Sequence, residues 1–187
     1  MITEDVIQAR ILTASKCSCG PGSNIMVWIV NNILQGENTM STAQKIDSFR
    51  GKYYFLSNFF PAPVIYQGLT YQNNEAAFQA QKTLSQEQKI VFTSLAPSDA
   101  KRRGRHVRLR QDWESVKDGI MEEIVRAKFT QNPKLKEQLL STGDAILIEG
   151  NTWNDRYWGV DARSGVGKNH LGKILMKIRS ELITNEK

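Results

Sequence analysis

A lysine lies on the apolar stripe of the longest predicted helix, where a charged side chain is costly to bury. The helix spans about residues 112–131, and Lys128 follows Ile124 by four positions and Val125 by three, so all three share one face. A core-facing ammonium must be paired or have a depressed pKa, which would make it a nucleophile or the partner of a catalytic carboxylate. Near a helix end it could instead extend to the surface.

A second candidate is the carboxylate of Glu75, which begins a helix predicted to run to about Thr83. Lys82 follows seven residues later on the same face, and Gln79 lies between them. The three would form a polar stripe beside the aromatic Phe78. The helix dipole alone explains a glutamate in the first turn. By spacing alone, this structural explanation is favoured over a catalytic one.

Two short polar sequences interrupt apolar or aromatic surroundings. Ser57 and Asn58 lie inside FLSNFF, where they would form a turn or expose a hydroxyl and an amide at a pocket mouth. The region of residues 151–172 combines Asp155 and Trp158 with several glycines, between a strand and a helix that Asn169 can cap. A strand leading into a helix N-terminus is a natural position for an anionic ligand.

The positive charge of the chain is confined to one segment. The sequence carries a net charge of +6, and residues 101–110 contain six basic side chains and no acidic one. The remainder of the chain is therefore balanced. A compact cluster without aromatic residues favours a local phosphate contact, with Arg102 and Arg105 as candidates, over a broad nucleic-acid surface. The alternative is a solvated helix end.

The elements that must position these residues do not alternate as strand, helix, strand. PVIYQGLTY predicts a hairpin around Gln67 and Gly68, while KYYFLSNF favours extended structure and AILIEG a buried strand. Helices are predicted from Pro97 or Ser98 to Gly104, over 112–131, from Pro133 to Gly143 and over HLGKILMKIRSEL, with a further one over QEQKIVFTSLA. We expect one compact α+β domain, mainly helical with a small sheet, rather than a doubly wound sheet.

Residues 1–46 show no clear period, and we interpret them as a poorly ordered N-terminal extension before a domain of residues 47–187. No window approaches the roughly 18 apolar residues of a membrane span. The early residues lack a signal-peptide pattern. Cys17 and Cys19 have too few nearby ligands for a metal site. Sparse cysteines favour a reducing, cytoplasmic location.

The collinear segments from residue 49 to residue 182 resemble the YbiA-like family, also called the NADAR domain. They are FRGKYYFLSNFFPAPVIYQGLTYQNNEAAFQAQK, the basic KRRGR, the helix ending in AKF, LLSTGDAILIEGN, DRYWG and GKNHLGKILMKIR. The resemblance implies an N-glycosidase acting on ribose-phosphate compounds. The substrates would be phosphoribosylamino-pyrimidine intermediates of riboflavin synthesis or, alternatively, ADP-ribosylated guanine. Ala76 departs from the aromatic residue or histidine often found after the family's glutamate, which would widen the pocket.

The family motifs coincide with residues singled out above. Cleavage of a C–N glycosidic bond needs a carboxylate near the anomeric carbon, a proton donor for the leaving base and cations for phosphate. The predicted catalytic residues are Glu75, Lys128 and Asp155. The predicted substrate-binding residues are Ser57, Asn58, Lys82, Arg102, Arg105, Trp113, Trp158 and Asn169. No metal or cofactor is expected, and the rival hypotheses are a non-catalytic NAD or ADP-ribose module and a nucleic-acid-binding domain.

Overall fold

A 19-residue helix organises the fold, and the computed structural model describes it together with the rest of residues 44–184. The α-helices of these residues are α1 Asn74–Ala80, α2 Gln86–Phe92, α3 Pro97–Arg103, α4 Trp113–Gln131, α5 Pro133–Leu140 and α6 His170–Thr184, and Gly51–Leu56 forms a 3₁₀ helix. The strands are β1 Lys45–Ile46, β2 Val64–Tyr66, β3 Leu69–Tyr71, β4 Ile146–Leu147, β5 Gly150–Asn151 and β6 Val160–Asp161. Because the strands are only two or three residues long, helices supply most of the core.

The strands form three separate pairs in the described part of the chain. β1 pairs with β4 and β5 with β6, both in parallel, while β2 and β3 are antiparallel. The predicted hairpin is confirmed: Val64 pairs with Tyr71, and Gln67 and Gly68 have φ values of 49° and 76°. Positive φ at both central residues is the requirement of a type I′ turn. The prediction of a mainly helical α+β domain is confirmed.

Helix α4 contributes the centre of a single core. Its inner face buries Ile120, Met121, Ile124, Val125, Lys128 and Phe129, and it contacts α1, β2, α5 and α6. The closing helix α6 adds Leu171, Ile174, Leu175, Ile178 and Leu182. Helix α1 differs because all seven of its residues are buried, including Asn74, Glu75 and Gln79. These polar groups must therefore find partners inside the protein.

Local signals define several helix ends as predicted. The Asn73 side chain accepts a hydrogen bond from Ala76 N at 2.8 Å and so caps α1. Pro97 and Pro133 occupy the first turns of α3 and α5, where a missing N–H leaves no bond unmade. Gly104 follows α3 at its C-terminus.

Two predicted extended segments are wrong. KYYFLSNF contains the 3₁₀ helix, because Tyr53 N and Ser57 N turn back to Arg50 O and Tyr54 O. AILIEG does not form one continuous strand, because the chain bends between β4 and β5, where Gly150 N donates to Ile148 O. In both cases short-range turns replace the extended structure that aromatic and β-branched residues favour.

The predicted extension of residues 1–46 lies outside the described residues except for 44–46. Within those three, Lys45 and Ile46 form β1, and Ile46 is buried in the core. The domain therefore includes at least two residues that the predicted boundary assigned to the extension. No helix within residues 44–184 is long and apolar enough to cross a membrane.

Candidate active site

A cavity of about 770 Å³ lies between α1, the C-terminal part of α3, the first half of α4 and the segment of residues 149–158. Eight of the eleven predicted site residues line it: Ser57, Asn58, Glu75, Lys82, Arg105, Trp113, Asp155 and Trp158. The lining also includes polar or charged residues that the sequence analysis did not select as site residues: Gln79, Lys101, Lys117, Glu149, Asn151 and Tyr157. The cavity thus gathers residues from distant parts of the sequence.

Glu75 places a carboxylate on the wall of this cavity. The residue is only 7% exposed, and its Oε1 accepts a hydrogen bond from Gln79 Nε2 at 2.9 Å. Burial raises the pKa of Glu75, and the nearby Lys101 and Lys82 oppose that rise. The carboxyl group is therefore largely shielded from water but lies within the field of two ammonium groups.

Two lysines of the cavity lie near that carboxylate. Lys82 follows α1, and Lys101 belongs to α3. Burial lowers the pKa of Lys82, and Glu75 counteracts this effect. The Lys82 ammonium lies 5.9 Å from the centre of the Trp113 ring, while Lys101 lies 5.7 Å from that of Phe59. Lys101 belongs to the predicted basic cluster of residues 101–110, but its position in the sequence did not indicate that it lies near Glu75.

Ser57 and Asn58 belong to a turn and also line the cavity, the two alternatives predicted from the sequence. Ser57 Oγ accepts from Phe59 N at 3.1 Å, as in a turn, and both residues also line the cavity. Asn58 Oδ1 accepts from Asn74 Nδ2 at 3.2 Å, and its backbone oxygen accepts from Glu75 N at 3.0 Å. This turn therefore anchors the first residues of α1, including the one that carries the carboxylate.

Asp155 holds the aromatic side of the cavity in place. Its Oδ1 accepts hydrogen bonds from Tyr157 N at 3.1 Å and Trp158 N at 3.0 Å. Asn151 fixes the start of the same turn, since its side chain accepts from Asp155 N and donates to Asp155 O. Asn154 lies between them with a φ of 64°, a left-handed conformation that asparagine tolerates. Oδ1 of Asp155 therefore stabilises the backbone of this turn.

Aromatic rings form a connected wall along the cavity. Phe78 contacts Trp113 at 5.1 Å between ring centres and Trp158 at 5.4 Å, and Trp158 contacts Tyr157 at 5.1 Å. All four rings line the cavity. Such rings present faces and edges on which a planar heterocycle can stack. The wall and the charged groups line the same cavity.

Glu149 is a site residue that the sequence analysis missed. It lies at the bend between β4 and β5, lines the cavity, and has a buried Oε2 without a hydrogen-bond partner. Burial raises the pKa of Glu149 to about 7; Asp155 adds to the rise, and Lys101 and Arg50 oppose it. The sequence did not predict this residue, because it was assigned to a continuous strand and only the bend brings it to the cavity. Within residues 44–184, no group of three or more His, Cys, Asp or Glu side chains is arranged to hold a metal ion.

Lys128 does not line the cavity. Its side chain is buried, and Nζ donates to Phe55 O at 2.6 Å and Ser57 O at 2.8 Å. The predictions that it pairs with Glu75 or Asp155, or reaches the surface, are wrong, because Lys128 is buried and its ammonium donates to carbonyl oxygens at the end of the 3₁₀ helix. Burial lowers the pKa of Lys128 to about 7. Its position supports the turn that carries Ser57 and Asn58.

Arg102 and Asn169 also lie away from the cavity lining. Arg102 has a side chain that is 73% exposed, pairs with Asp99 at 2.7 Å, and borders a different cleft. Asn169 donates from Nδ2 to Leu147 O at 2.8 Å and accepts at Oδ1 from Glu149 N at 3.0 Å. Asn169 therefore fixes the backbone of Glu149, and its side chain contributes to the site indirectly.

Proteins with related sequences and structures were found for most of this domain. The NADAR domain family model matches residues 46–183. The N-glycosidase YbiA of Escherichia coli is 43% identical over 129 residues, which cover 67% of this chain and 79% of that protein. A riboflavin biosynthesis protein of Vibrio vulnificus is 39% identical over 132 residues, covering 68% of this chain and 35% of the relative.

A solved structure agrees with these sequence relationships. The NMR structure of E. coli YbiA matches with a TM-score of 0.69 and 38% identity, over 78% of this chain and 89% of that one. The residues matched by the family model include all those that line the cavity. The chain belongs to the NADAR domain family.

Proposed function

We propose that this protein hydrolyses the N-glycosidic bond of a phosphorylated ribose compound, with Glu75 as the carboxylate beside the anomeric carbon. The observation that carries the proposal is the buried Glu75 carboxylate, placed in one cavity with Lys82, Lys101 and an aromatic wall. The relatives named N-glycosidases confirm the predicted reaction class, a hydrolase acting on N-glycosyl bonds.

The charges of the cavity suit the charge that develops during this reaction. As the C–N bond breaks, positive charge grows on the sugar, and a carboxylate at the anomeric carbon stabilises it. Lys82 and Lys101 favour the ionised form of Glu75. We assign phosphate binding to Arg105 and Lys101, which line the same cavity. Trp113 and Trp158 would stack on the leaving base.

Asp155 has a positioning role in this proposal. Its Oδ1 already accepts two backbone N–H groups, which orient Trp158 toward the cavity. Ser57 and Asn58 form another part of the wall, and Asn58 anchors Glu75 by accepting from its backbone N–H. Lys128 supports that wall from behind, so its contribution to turnover is indirect.

A phosphoribosylamino-pyrimidine is the proposed substrate, because one relative carries the name of a riboflavin biosynthesis protein. The size of the cavity favours a second candidate, an ADP-ribosyl group attached to guanine. About 770 Å³ falls in the upper part of the range of ligand pockets, roughly 300–1,000 Å³, and leaves room for a second phosphate. Both candidates have the same N-glycosidic bond and the same need for cations.

A turnover screen with both substrates tests the proposal. Released base is quantified by mass spectrometry against a reaction without enzyme, because phosphoribosylamines also decompose unaided. We expect Glu75→Gln to lower kcat by about 10²-fold or more while the melting temperature is retained. Glu137→Gln, on the exposed face of α5, is the matched control and should behave as wild type. Binding without release of base by the wild type would identify a non-catalytic module instead.

A further inference from the structure

Glu149 points into the cavity from a backbone that is fixed on both sides. Its N–H donates to Asn169 Oδ1 at 3.0 Å, and its carbonyl oxygen accepts from Val160 N at 2.9 Å. Gly159 packs so closely that an added Cβ would lie 2.2 Å from Glu149 O and 3.1 Å from Glu149 Cγ. The start of the side chain therefore has little freedom. A rigid support of this kind is typical of a group that must meet a substrate atom.

The two glutamates of the cavity, the buried Glu75 and the half-buried Glu149, have unequal surroundings. Burial raises the pKa of Glu75, but a hydrogen bond from Gln79 and two nearby lysines oppose that rise and favour its ionised form. Glu149 has a buried Oε2 that accepts no hydrogen bond. The charged groups that face it are the basic Lys101 and Arg50 and the acidic Asp155 and Glu75. Because burial and two like charges oppose its ionisation, and its Oε2 has no donor, Glu149 is the better candidate of the two to hold a proton.

We propose that Glu149 is the general acid that protonates the leaving nitrogen, an assignment that rests on the N-glycosidase function proposed above. The bond between the anomeric carbon and nitrogen breaks, its electron pair goes to nitrogen, and the Glu149 proton is transferred to that nitrogen. Water adds its oxygen to the anomeric carbon and releases a proton to solvent. Glu149 then regains a proton, so one water molecule is consumed for each base released.

No other carboxyl group of the cavity fits this role as well. Asp155 already uses Oδ1 to accept two backbone N–H groups, so that oxygen is engaged in holding the turn. Glu75 is required as an ionised group at the sugar. When Glu149 is protonated, the carboxyl group can donate a hydrogen bond to a nearby substrate nitrogen through Oε2, which has no partner in the protein. Two carboxyl groups in different protonation states are the common arrangement in glycoside hydrolysis.

The test compares two leaving groups in wild type, Glu149→Gln and Glu75→Gln. One substrate carries a basic nitrogen that needs a proton, and the other is p-nitrophenyl ribose 5-phosphate, whose leaving group departs without one. We expect Glu149→Gln to lower kcat by about 10²–10⁴-fold on the first substrate and only severalfold on the second. Glu75→Gln should impair both. If Glu149→Gln lowers kcat equally on both substrates, or on neither, the assignment is overturned.

A pH profile of the wild type provides a measurement that does not depend on the folding of a variant. An acid must be protonated to act, so kcat for the first substrate should fall as pH rises through about 7, the pKa of Glu149. This decline should be absent for p-nitrophenyl ribose 5-phosphate. A profile that is identical for both substrates contradicts the assignment. If the wild type cleaves neither substrate, the N-glycosidase proposal itself has failed, and the two failures remain distinguishable.

Discussion

A single ammonium group holds the end of the 3₁₀ helix beside the cavity. Lys128 Nζ donates to the carbonyl oxygens of Phe55 and Ser57, and no carboxylate takes part in that contact. Spacing correctly placed Lys128 in the core, but it could not identify the partners, which lie more than 70 residues away in sequence. The lysine acts as an internal support for the wall of the site.

Replacement of Lys128 by methionine should therefore destabilise the protein. Methionine has a similar volume, but it removes the Lys128 donor from Phe55 O and leaves Ser57 O with Phe60 N alone. A buried polar group left unpaired costs about 1–3 kcal/mol. We expect a lower free energy of unfolding in urea denaturation and a smaller loss of kcat than for Glu75→Gln. Lys134→Met, at an exposed position of α5, serves as the control. A variant as stable as wild type would show that these hydrogen bonds contribute nothing.

At the scale of elements, α3 and the turn after it divide the basic cluster between two surfaces. Arg105 and Lys101 line the cavity, whereas Arg102 pairs with Asp99 and borders the other cleft. The sequence treated Arg102 and Arg105 as equivalent, because composition does not reveal which side of a short helix faces a cavity. The structure separates them and provides a matched pair of variants.

We expect Arg105→Ala to raise KM for a phosphorylated substrate by roughly 10-fold or more, as loss of a charged hydrogen bond of about 1.5–3 kcal/mol implies. Arg102→Ala should leave KM unchanged, and neither variant should change the melting temperature. Steady-state kinetics with phosphorylated and dephosphorylated substrates checks the result. Equal effects of the two substitutions would remove Arg105 from the phosphate site, and tight, salt-sensitive DNA binding by the wild type would favour a nucleic-acid-binding domain.

Helices α1 and α3 also meet at Gly104, directly behind the catalytic candidate. A Cβ at this position would lie 1.9 Å from Gln79 Oε1, and Gln79 is the residue that hydrogen-bonds Glu75. Gly104→Ala should displace Gln79 and lower kcat by about tenfold or more, since small misplacements at an active site cost up to 10²-fold. The double variant with Gln79→Ala should be no worse than Gln79→Ala alone. Additive losses would show that Gly104 acts through another contact.

At the scale of the whole molecule, the sequence predicted the parts whose structure is determined locally. Asn73, Pro97 and Pro133 mark helix starts, and the turn at Gln67 and Gly68 defines the hairpin. The 3₁₀ helix and the bend at Glu149 escaped prediction. Both combine short-range turns with a contact to a residue distant in sequence, Lys128 in the first case and Asn169 in the second. Residue types, spacing and the family motifs selected eight residues that line the cavity. They did not select Glu149, because its position depends on that bend.

The buried lysine should also make the stability of the whole domain depend on pH. The pKa of Lys128 is lowered to about 7, against about 10.4 in an unfolded chain. Between these values the unfolded state binds more protons, so the free energy of unfolding should rise with pH, by at most about 1.4 kcal/mol per unit. Measured from pH 6 to 9, the difference between wild type and Lys128→Met should be flat below about 7 and then increase. A constant difference would mean that Lys128 keeps its usual pKa.

The aromatic wall also gives the protein a built-in optical probe. Trp113, Trp153 and Trp158, the three tryptophans within residues 44–184, line the cavity. A heterocycle that stacks on these indoles would quench or shift their emission, so binding can be followed by fluorescence without a label. With a catalytically inactive variant such as Glu75→Gln, the same signal would report dissociation constants for intact substrates. The fluorescence of the tryptophans proposed to stack on the base would then report the affinity for the substrate.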